Sequence, residues 1–401
     1  RRQRQMCIRD RLYMVDFLKR EELQKGVHKK LRRRYLPLKG DSYSEAFRNR
    51  KKILEVLGLF AGKWPNTLAL QPGGITRPVT LSEIIRAQGI LREYRRFIEK
   101  NLLGCSCERW LEVRSLKDLD RWLGEGNHEE SDLGLFIKLC SELGLDKIGR
   151  GPGRFLSAGA YELPDGSTWL KSGYYDGESF SDFDHRKITE DVAFSWFSGP
   201  EGGCHPFAEA TLPNVEKANA YSWVKAPRYN GEAVEVGPMA RMIIDRDPLA
   251  LDLLRSLGPS AYVRVLLRIH ELVRVLRQME IWLGEIDPEK PFYRKHKKLR
   301  CGEGVGLTEA SRGVLGHWIQ IEDHKIKNYQ VVTPTAWNLS PRDSSGTPGP
   351  LEQALLGTCV RSEEDPVEVA HIIRSFDPCL FCAVHAVRVE GEKQTIVLWT
   401  Y

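Results

Sequence analysis

Cys379 and Cys382 stand three positions apart near the carboxyl end of the chain, and His385 follows them. This spacing turns two sulfur atoms toward one point, and thiolates are soft ligands that suit nickel and iron better than hard cations. The same spacing is typical of zinc half-sites and of thioredoxin-like redox pairs. The residues alone therefore predict a metal site or a redox dithiol and leave both open.

A short helix is predicted directly before the cysteine pair. In residues 365–374, Asp365 is expected at the N-cap and Pro366 at the first helical position, where both residue types are favoured. Further upstream, apolar residues alternate at 317–321 and 326–332 about a polar turn, which predicts a β-hairpin. Rigid elements can therefore position the two sulfur atoms.

Long amphipathic helices are predicted in the first three quarters of the chain. Thr80 and Glu83 form a capping box, after which apolar residues recur at helical spacing until Gly104. Similar patterns predict helices over about 261–282 and about 44–59. The sequence thus predicts a mainly α fold with small peripheral β-sheets, in the α+β class.

The composition excludes several classes of protein. The chain has 401 residues, of which 41% are hydrophobic, enough for a large core in one or two domains. Because it has no run of about 18 apolar residues, no transmembrane segment is predicted in it. Nine unevenly spaced cysteines do not suggest a disulfide scaffold. The glycine patterns at 149–153 and 302–306 lack the dinucleotide fingerprint, so no flavin or nicotinamide site is predicted.

The closing segment resembles that of a known protein family. Asp377, Pro378 and Cys379, followed by Cys382 and His385, are similar to the motif that ends the large subunit of nickel-iron hydrogenases. Four further blocks match that family in the expected order, at residues 60–74, 221–232, 304–318 and 328–342. The resemblance implies a hydrogenase-like helical core and the reversible heterolytic cleavage of dihydrogen by an enzyme of the uptake type.

The resemblance assigns the two cysteines to a nickel-iron centre. Splitting dihydrogen requires a metal to take the hydride and a neighbouring base to take the proton. Cys379 would be a terminal nickel ligand whose thiolate can also accept the proton, and Cys382 would bridge nickel to an iron that carries carbon monoxide and cyanide. Both thiols must be deprotonated to bind metal.

Arg312, Asp377, Pro334 and Thr335 match residues that surround this centre in the family. The guanidinium of Arg312 would hold the cyanide ligands and the developing charge above the metals, since it stays charged and offers rigid donors. Asp377 would lie near Arg312, and Thr335, after Pro334, would donate its hydroxyl to a cyanide ligand. The alternatives are a structural arginine, a turn-forming aspartate before proline and a turn-capping threonine.

A second metal site and a removable tail are also implied by the resemblance. His385 and the main-chain oxygen of Val331 match two ligands of a magnesium or iron site, whose third ligand is an N-terminal glutamate. Family members are cleaved directly after this histidine, which implies that a maturation endopeptidase removes residues 386–401. That segment is expected to pair as a hairpin, and a permanent edge hairpin is the alternative. His205 resembles a histidine facing the electron-transfer subunit, or it is a loop histidine.

The beginning of the chain is expected to be foreign to the protein. Residues 1–11 look like a translated sequencing adapter, and without them the formal net charge falls from +6 to about +2, which gives no argument for nucleic acid. Residues 12–385 are then expected to be a hydrogenase large-subunit domain truncated at its N-terminus. The family's N-terminal cysteine pair is not found, so this polypeptide by itself is expected to be inactive.

The remaining cysteines and one histidine are expected to have ordinary structural roles. His270, within the predicted helix 261–282, is expected to be a satisfied core or surface histidine. Ordinary buried or surface thiols are expected at six further positions, Cys105, Cys107, Cys140, Cys204, Cys301 and Cys359.

The resemblance implies a partner that carries electrons. All iron-sulfur clusters would lie in a separate small subunit, and the compartment, cytoplasmic or membrane-associated or periplasmic, is left open. Two alternatives come from other classes: a quinone-handling electron-transfer subunit of the complex I type, and a noncatalytic metal-binding protein. Because the complex I type need not keep the metal cysteines, Cys379 and Cys382 argue against it.

Overall fold

The computed structural model describes residues 14–63, 66–200, 202–295 and 299–379, and the backbone of 386–390 and 393–397. Cys382, His385 and residues 1–11 lie outside the described residues. Helices form most of the regular structure. The α-helices are α1 (Lys25–Tyr35), α2 (Asp41–Ala61), α3 (Leu81–Phe97), α4 (Cys107–Leu111), α5 (Leu116–Leu123), α6 (Asp132–Leu143), α7 (Pro238–Ile244), α8 (Pro248–Leu257), α9 (Ala261–Glu285), α10 (Pro334–Asn338), α11 (Pro350–Leu355) and α12 (Val367–Ser375).

The capping box that the sequence predicts at the start of α3 is confirmed. The Thr80 hydroxyl accepts a hydrogen bond from the Glu83 N–H at 3.3 Å, and the Glu83 carboxylate accepts from the Thr80 N–H at 2.9 Å. The helix continues as a π-helix, Ile98–Leu103, and Gly104 ends it in the left-handed region with φ +75°. The helices predicted over 44–59 and 261–282 are confirmed as α2 and α9, each slightly longer than expected.

The strands form small antiparallel sheets around the helices. The predicted mainly α fold with small peripheral sheets is confirmed, because helices form most of the regular structure and each sheet has only two or three strands. The strands are β1 (Leu70–Gln71), β2 (Gly74–Ile75), β3 (Phe155–Glu162), β4 (Thr168–Tyr175), β5 (Phe180–Ser181), β6 (Ile188–Asp191), β7 (Phe197–Ser198), β8 (Leu212–Pro213), β9 (Ala226–Tyr229), β10 (Gly302–Ala310), β11 (Gly313–Glu322), β12 (Lys325–Val332), β13 (Ala386–Glu390) and β14 (Lys393–Val397).

The sheet of β10, β11 and β12 extends the hairpin that the sequence predicts. β11 pairs with β12 across a turn at Asp323 and His324, as expected. The additional strand, β10, pairs with β11 so that Ala310 faces Gly313. This register leaves only Ser311 and Arg312 in the turn between them. The sheet therefore presents Arg312 at the tip of a tight hairpin.

The predicted start of α12 is wrong by one residue. Pro366, not Asp365, is the N-cap, and the cap has no side-chain hydrogen bond. The Asp365 carboxylate is instead 3.0 Å from the Lys19 ammonium. An ion pair with a distant segment thus replaces the local cap that the sequence favours.

Three apolar clusters lie under these elements. The smallest consists of Leu351, Ala354, Ile372 and Phe376 and joins α11 to α12. The other two are more extensive. The larger one surrounds α9 and joins it to helices α3, α6, α7 and α8. The smaller one lies between β3, β11 and α10 and contains Trp318 and Trp337, both about 1% exposed. His270 is buried on α9 with its Nε2 3.0 Å from the Asp247 carboxylate, which confirms a core histidine. Its buried Nδ1 has no hydrogen-bond partner among the described residues, so the ring is satisfied at one nitrogen only. None of the helices among the described residues is both long and apolar enough to cross a bilayer.

Candidate active site

Arg312 is positioned by a close approach of two backbone segments. Gly313 has φ +129°, and a Cβ atom there would lie 2.4 Å from a Val236 methyl group and 2.7 Å from the Gly237 nitrogen. Only glycine fits such a contact. The Arg312-Gly313 sequence therefore lets the hairpin tip press against residues 236–237, just before α7.

Arg312 binds Asp377 through two atoms of its guanidinium. Nε donates to the Asp377 main-chain oxygen at 2.5 Å, and Nη2 donates to the Asp377 carboxylate at 3.0 Å. Both residues are less than 10% exposed. Charge-assisted bonds of this kind are stronger than neutral ones and fix orientation as well as distance. The structure thus brings together two of the predicted site residues.

Two further arginines hold the segment that leads to Cys379. Arg268 of α9 donates to the Ser375 main-chain oxygen at 2.8 Å. The Arg264 guanidinium lies 3.9 Å from the centre of the Phe376 ring, a cation–π distance. Asp377 follows with φ +50°, which is uncommon for a residue with a side chain and is found where surrounding contacts impose it. The end of α12 is therefore held by α9 on one side and by the hairpin of β10 and β11 on the other.

A buried ion-pair group ties α12 to residues 16–20. Arg20 donates to Glu368 at 2.5 Å and to the His371 Nε2 at 3.3 Å, and Arg374 lies 3.0 Å from Asp16. Burial, together with Arg20 and Arg374, lowers the pKa of His371 well below its usual value, so its ring is neutral and can accept that bond. The helix before Cys379 is thus anchored from a third side.

Stability should depend on the protonation of Asp16. Burial raises the pKa of Asp16 from 3.8 to about 7, although Arg374 and Lys19 oppose the shift. Because the folded pKa lies above the unfolded one, this group's contribution to stability is fully present below about pH 4 and is lost as the pH rises through about 7. We expect Asp16→Asn to remove that part of the pH dependence, measured by thermal unfolding at several pH values between 4 and 8.

The matched control for this pH dependence is Asp184→Asn. Hydrogen bonds from Arg186 lower the pKa of Asp184 to about 2, so its titration lies below the range tested. The control should unfold with the same pH slope as the unaltered protein. An unchanged slope in Asp16→Asn would contradict the assignment.

A cleft of about 300 Å³ opens beside Arg312. Its charged lining is balanced, with three arginines and three acids: Arg241, Arg268, Arg312, Glu271, Glu309 and Asp377. Arg241 of α7 joins two of the acids, binding Glu271 at 2.5 and 2.7 Å and Glu309 at 2.7 Å. Such a cleft has fixed donors and acceptors on its walls and suits a small reactant.

Glu309 is a buried acid on the wall of the cleft. Burial raises the pKa of Glu309 above its usual value, and Arg241 partly offsets the effect. One carboxylate oxygen also accepts a bond from the Ala158 N–H at 2.9 Å. The sequence patterns predict no role for Glu309, Arg241 or Glu271. A single arginine within the apolar run of α7 was the available signal, because buried arginines require acidic partners.

The other predicted site residues lie in the segment that follows β11. Val331 is on β12 and is 39% exposed, opposite His317 in the register. Pro334 and Thr335 are buried at the start of α10, whose N-cap is Thr333. Thr335 is therefore a helical residue, and Thr333, whose hydroxyl accepts from the Ala336 N–H, is the capping threonine.

The thiols differ in exposure. Cys107 and Cys140 are buried, Cys105 and Cys204 are partly buried, and Cys301 and Cys359 are exposed. His205 precedes a short 3₁₀ helix and accepts a bond from the Phe207 N–H. It lies in a loop, a position that both interpretations allow.

The described donors fit part of a metal site. Cys379 is partly exposed and not in a disulfide, and it comes two residues after the aspartate that Arg312 holds. A soft thiolate near a fixed guanidinium suits a metal that carries anionic ligands. Among the residues that the structure describes, no three His, Cys, Asp or Glu side chains converge on one point. Cys379 is thus a single candidate donor within the described part of the chain.

Comparison with known proteins identifies related sequences. Residues 137–385 match a family model described as nickel-dependent hydrogenase. The large subunit of the periplasmic [NiFeSe] hydrogenase of Desulfomicrobium baculatum is 32% identical, over 89% of this chain and 68% of that protein. The uptake hydrogenase large subunit of Rhodobacter capsulatus is 31% identical, over 88% of this chain and 65% of that protein. The chain thus spans about two thirds of the length of these relatives.

Solved structures show the same fold. A reduced, active form of the Ni-Fe-Se hydrogenase from Desulfomicrobium baculatum superposes with a TM-score of 0.73 at 30% identity, covering 89% of this chain and 70% of that one. The Ni-Fe-Se hydrogenase from D. vulgaris Hildenborough in the reduced state gives a TM-score of 0.73 at 30% identity, covering 90% of this chain and 72% of that one.

Proposed function

We propose that the chain, which belongs to the nickel-dependent hydrogenase family, is the catalytic part of a large subunit. This subunit would split dihydrogen into protons and electrons. The observation that carries this proposal is the buried pair of Arg312 and Asp377, which fixes the segment leading to Cys379 at the edge of a cleft. Names of relatives such as the uptake hydrogenase of Rhodobacter capsulatus favour the direction of hydrogen oxidation.

Each residue has a distinct part in this proposal. Cys379 and Cys382 would hold nickel and iron, and the bound centre would polarise dihydrogen so that it splits heterolytically. Arg312, Pro334 and Thr335 would surround the carbon monoxide and cyanide ligands of the iron. Asp377 fixes the plane of the Arg312 guanidinium, and the Cys379 thiolate would accept the proton. His385 and the Val331 main-chain oxygen would bind magnesium or iron at a second site.

An iron-sulfur small subunit is the proposed partner. Electrons from dihydrogen need an acceptor, and the chain shows no flavin or nicotinamide fingerprint. Expression of the large subunit with its small subunit tests the proposal, with nickel content and hydrogen-dependent dye reduction as the readouts. A complex that holds nickel but reduces no dye under hydrogen would favour the noncatalytic metal-binding alternative. A metal-free complex that reduces quinone would favour the complex I alternative.

The tail is proposed to be removed during maturation. Its backbone forms the expected hairpin, with Ala386 opposite Val397 and Glu390 opposite Lys393. We expect active enzyme to have lost residues 386–401, because cleavage after His385 would free that histidine to complete the second metal site. Intact-mass measurement of the large subunit from active enzyme checks this. A permanent edge hairpin would leave the active subunit ending at Tyr401.

The matched control for the tail is protein made without nickel. If cleavage follows metal loading, nickel-free protein should keep the whole tail. Equal cleavage with and without nickel would separate processing from metal loading.

A further inference from the structure

Three buried ionisable side chains lie together outside the cleft. Glu190 of β6, Glu209 and Lys225 are 4%, 5% and 9% exposed. The Lys225 ammonium is 2.5 Å from one oxygen of Glu209 and 3.8 Å from one oxygen of Glu190. It also donates to the Thr211 hydroxyl at 2.9 Å. Two carboxyl groups thus share one ammonium.

The charges in this group do not balance if both carboxyl groups are ionised. Two negative charges and one positive charge would leave an uncompensated charge in a region of low dielectric, which is costly. Glu235 is a useful contrast, since it is 2% exposed and has the Arg264 guanidinium to itself at 2.6 and 2.9 Å. Neighbouring carboxyl groups relieve the same imbalance by retaining a proton.

An unsatisfied oxygen points to the same conclusion. Among the residues that the structure describes, none donates a hydrogen bond to the buried Glu209 Oε2. A buried acceptor without a partner costs free energy, and a proton held between the two carboxyl groups would supply the missing donor. Burial, and then Glu209, raises the pKa of Glu190 well above its usual value, while Lys225 opposes the shift.

We propose that Glu190 and Glu209 share one proton at neutral pH and so form a proton-binding site separate from the cleft. The third titratable neighbour is Cys204, whose pKa is raised by burial and by Glu209, so its thiol stays neutral. Lys217 is directed elsewhere, to the main-chain oxygens of Val192 and Phe197. Lys225 is therefore the cation that faces the pair.

The surroundings connect the pair in two directions. The main chain of Glu190 exchanges hydrogen bonds with Cys204, which is partly exposed, so the pair lies close beneath the surface. On the other side, Lys225 reaches Thr211, which donates to Gln330 of β12 at 2.8 Å. The role of the pair rests on the proposed function: cleavage of dihydrogen releases protons, and the pair can take up one and pass it outward.

Infrared spectroscopy of the purified complex tests the shared proton without any turnover. At pH 7, without hydrogen, the spectrum of unaltered enzyme minus that of Glu209→Gln should contain the carbonyl band of a buried carboxylic acid, shifted in D₂O. The spectrum of unaltered enzyme minus that of Glu190→Gln should contain the same band. In each variant the one remaining glutamate is ionised, because the positive charge of Lys225 balances its negative charge. The control Glu235→Gln should instead remove carboxylate bands. Carboxylate bands alone in the first two differences would overturn the proposal.

The stability of the variants is a second, independent measurement. Glu209→Gln leaves one carboxylate and one ammonium, so its melting temperature should equal or exceed that of the unaltered enzyme. Glu235→Gln leaves Arg264 without its acid and should melt lower. Equal destabilisation by the two changes would show that Glu209 is an ordinary ion-pair partner and would overturn the proposal.

The role in proton release has its own readout. The solvent deuterium isotope effect on hydrogen oxidation should rise in Glu209→Gln and stay unchanged in the exposed control Glu322→Gln. If the acid band is present but the isotope effect is unchanged, the two glutamates share a proton that takes no part in turnover. That result would overturn the role in proton release. An enzyme that shows the band but oxidises no hydrogen would overturn the proposed function and not the shared proton.

Discussion

Replacing Cys379 by alanine should abolish both nickel retention and hydrogen oxidation. The change removes a thiolate donor. The arginines that hold the preceding segment stay in place, so the backbone does not shift to bring another donor to the vacated position. The binding free energy of a metal comes from its deprotonated ligands, so the loss of a thiolate weakens nickel binding. Nickel per polypeptide, measured by mass spectrometry of the complex with its partner, and hydrogen-dependent dye reduction check this result.

The matched control for this change is Cys359→Ala. Cys359 is an exposed thiol in the loop between α11 and α12, and its removal should change neither nickel content nor turnover. Thermal unfolding of both variants in the nickel-free state should match that of the nickel-free unaltered protein, since neither thiol is in the apolar core. Full nickel and full turnover in Cys379→Ala would show that the cysteine pair is not the metal site.

Elements with a strong local pattern could be predicted from the sequence. The capping box of Thr80 and Glu83 and the helical spacing of apolar residues located α3, and the same spacing located α9. β10 was not predicted, because glycines at 302, 304 and 306 interrupt the strand pattern. Its pairing with β11 comes from the tertiary structure, and tertiary contacts often override weak strand preference.

The candidate site could be predicted only in part, because its supports join distant parts of the chain. Arg312 and Asp377 were expected to be near each other from a family resemblance, and the structure gives the two hydrogen bonds between them. The anchor between Arg20 and Glu368 joins residues 348 positions apart, and no local pattern predicts such a pair. Contacts between distant segments are set by the fold, and the exposed ion pair that Asp365 makes with Lys19, where the sequence favours a local cap, is one example.

Replacing Arg312 by lysine should lower turnover by roughly tenfold or more, about 1.4 kcal/mol of transition-state stabilisation. Lysine keeps the charge but has a single nitrogen, so it cannot reproduce the planar contact with both the main chain and the carboxylate of Asp377. Nickel content should be unchanged, because the donor atoms of Cys379 are untouched. Hydrogen-dependent dye reduction per bound nickel measures the effect.

The matched control for Arg312 is Arg186→Lys. Arg186 also binds an aspartate through two nitrogens, Nε and Nη2 to Asp184, but its side chain is 79% exposed. Exposed ion pairs contribute little, so this change should leave turnover as it is. If Arg312→Lys lowered nickel content together with turnover, the guanidinium would act by holding the segment before Cys379. If it lowered turnover alone, its donors would act on the reacting centre, and unchanged turnover would make Arg312 a purely structural residue.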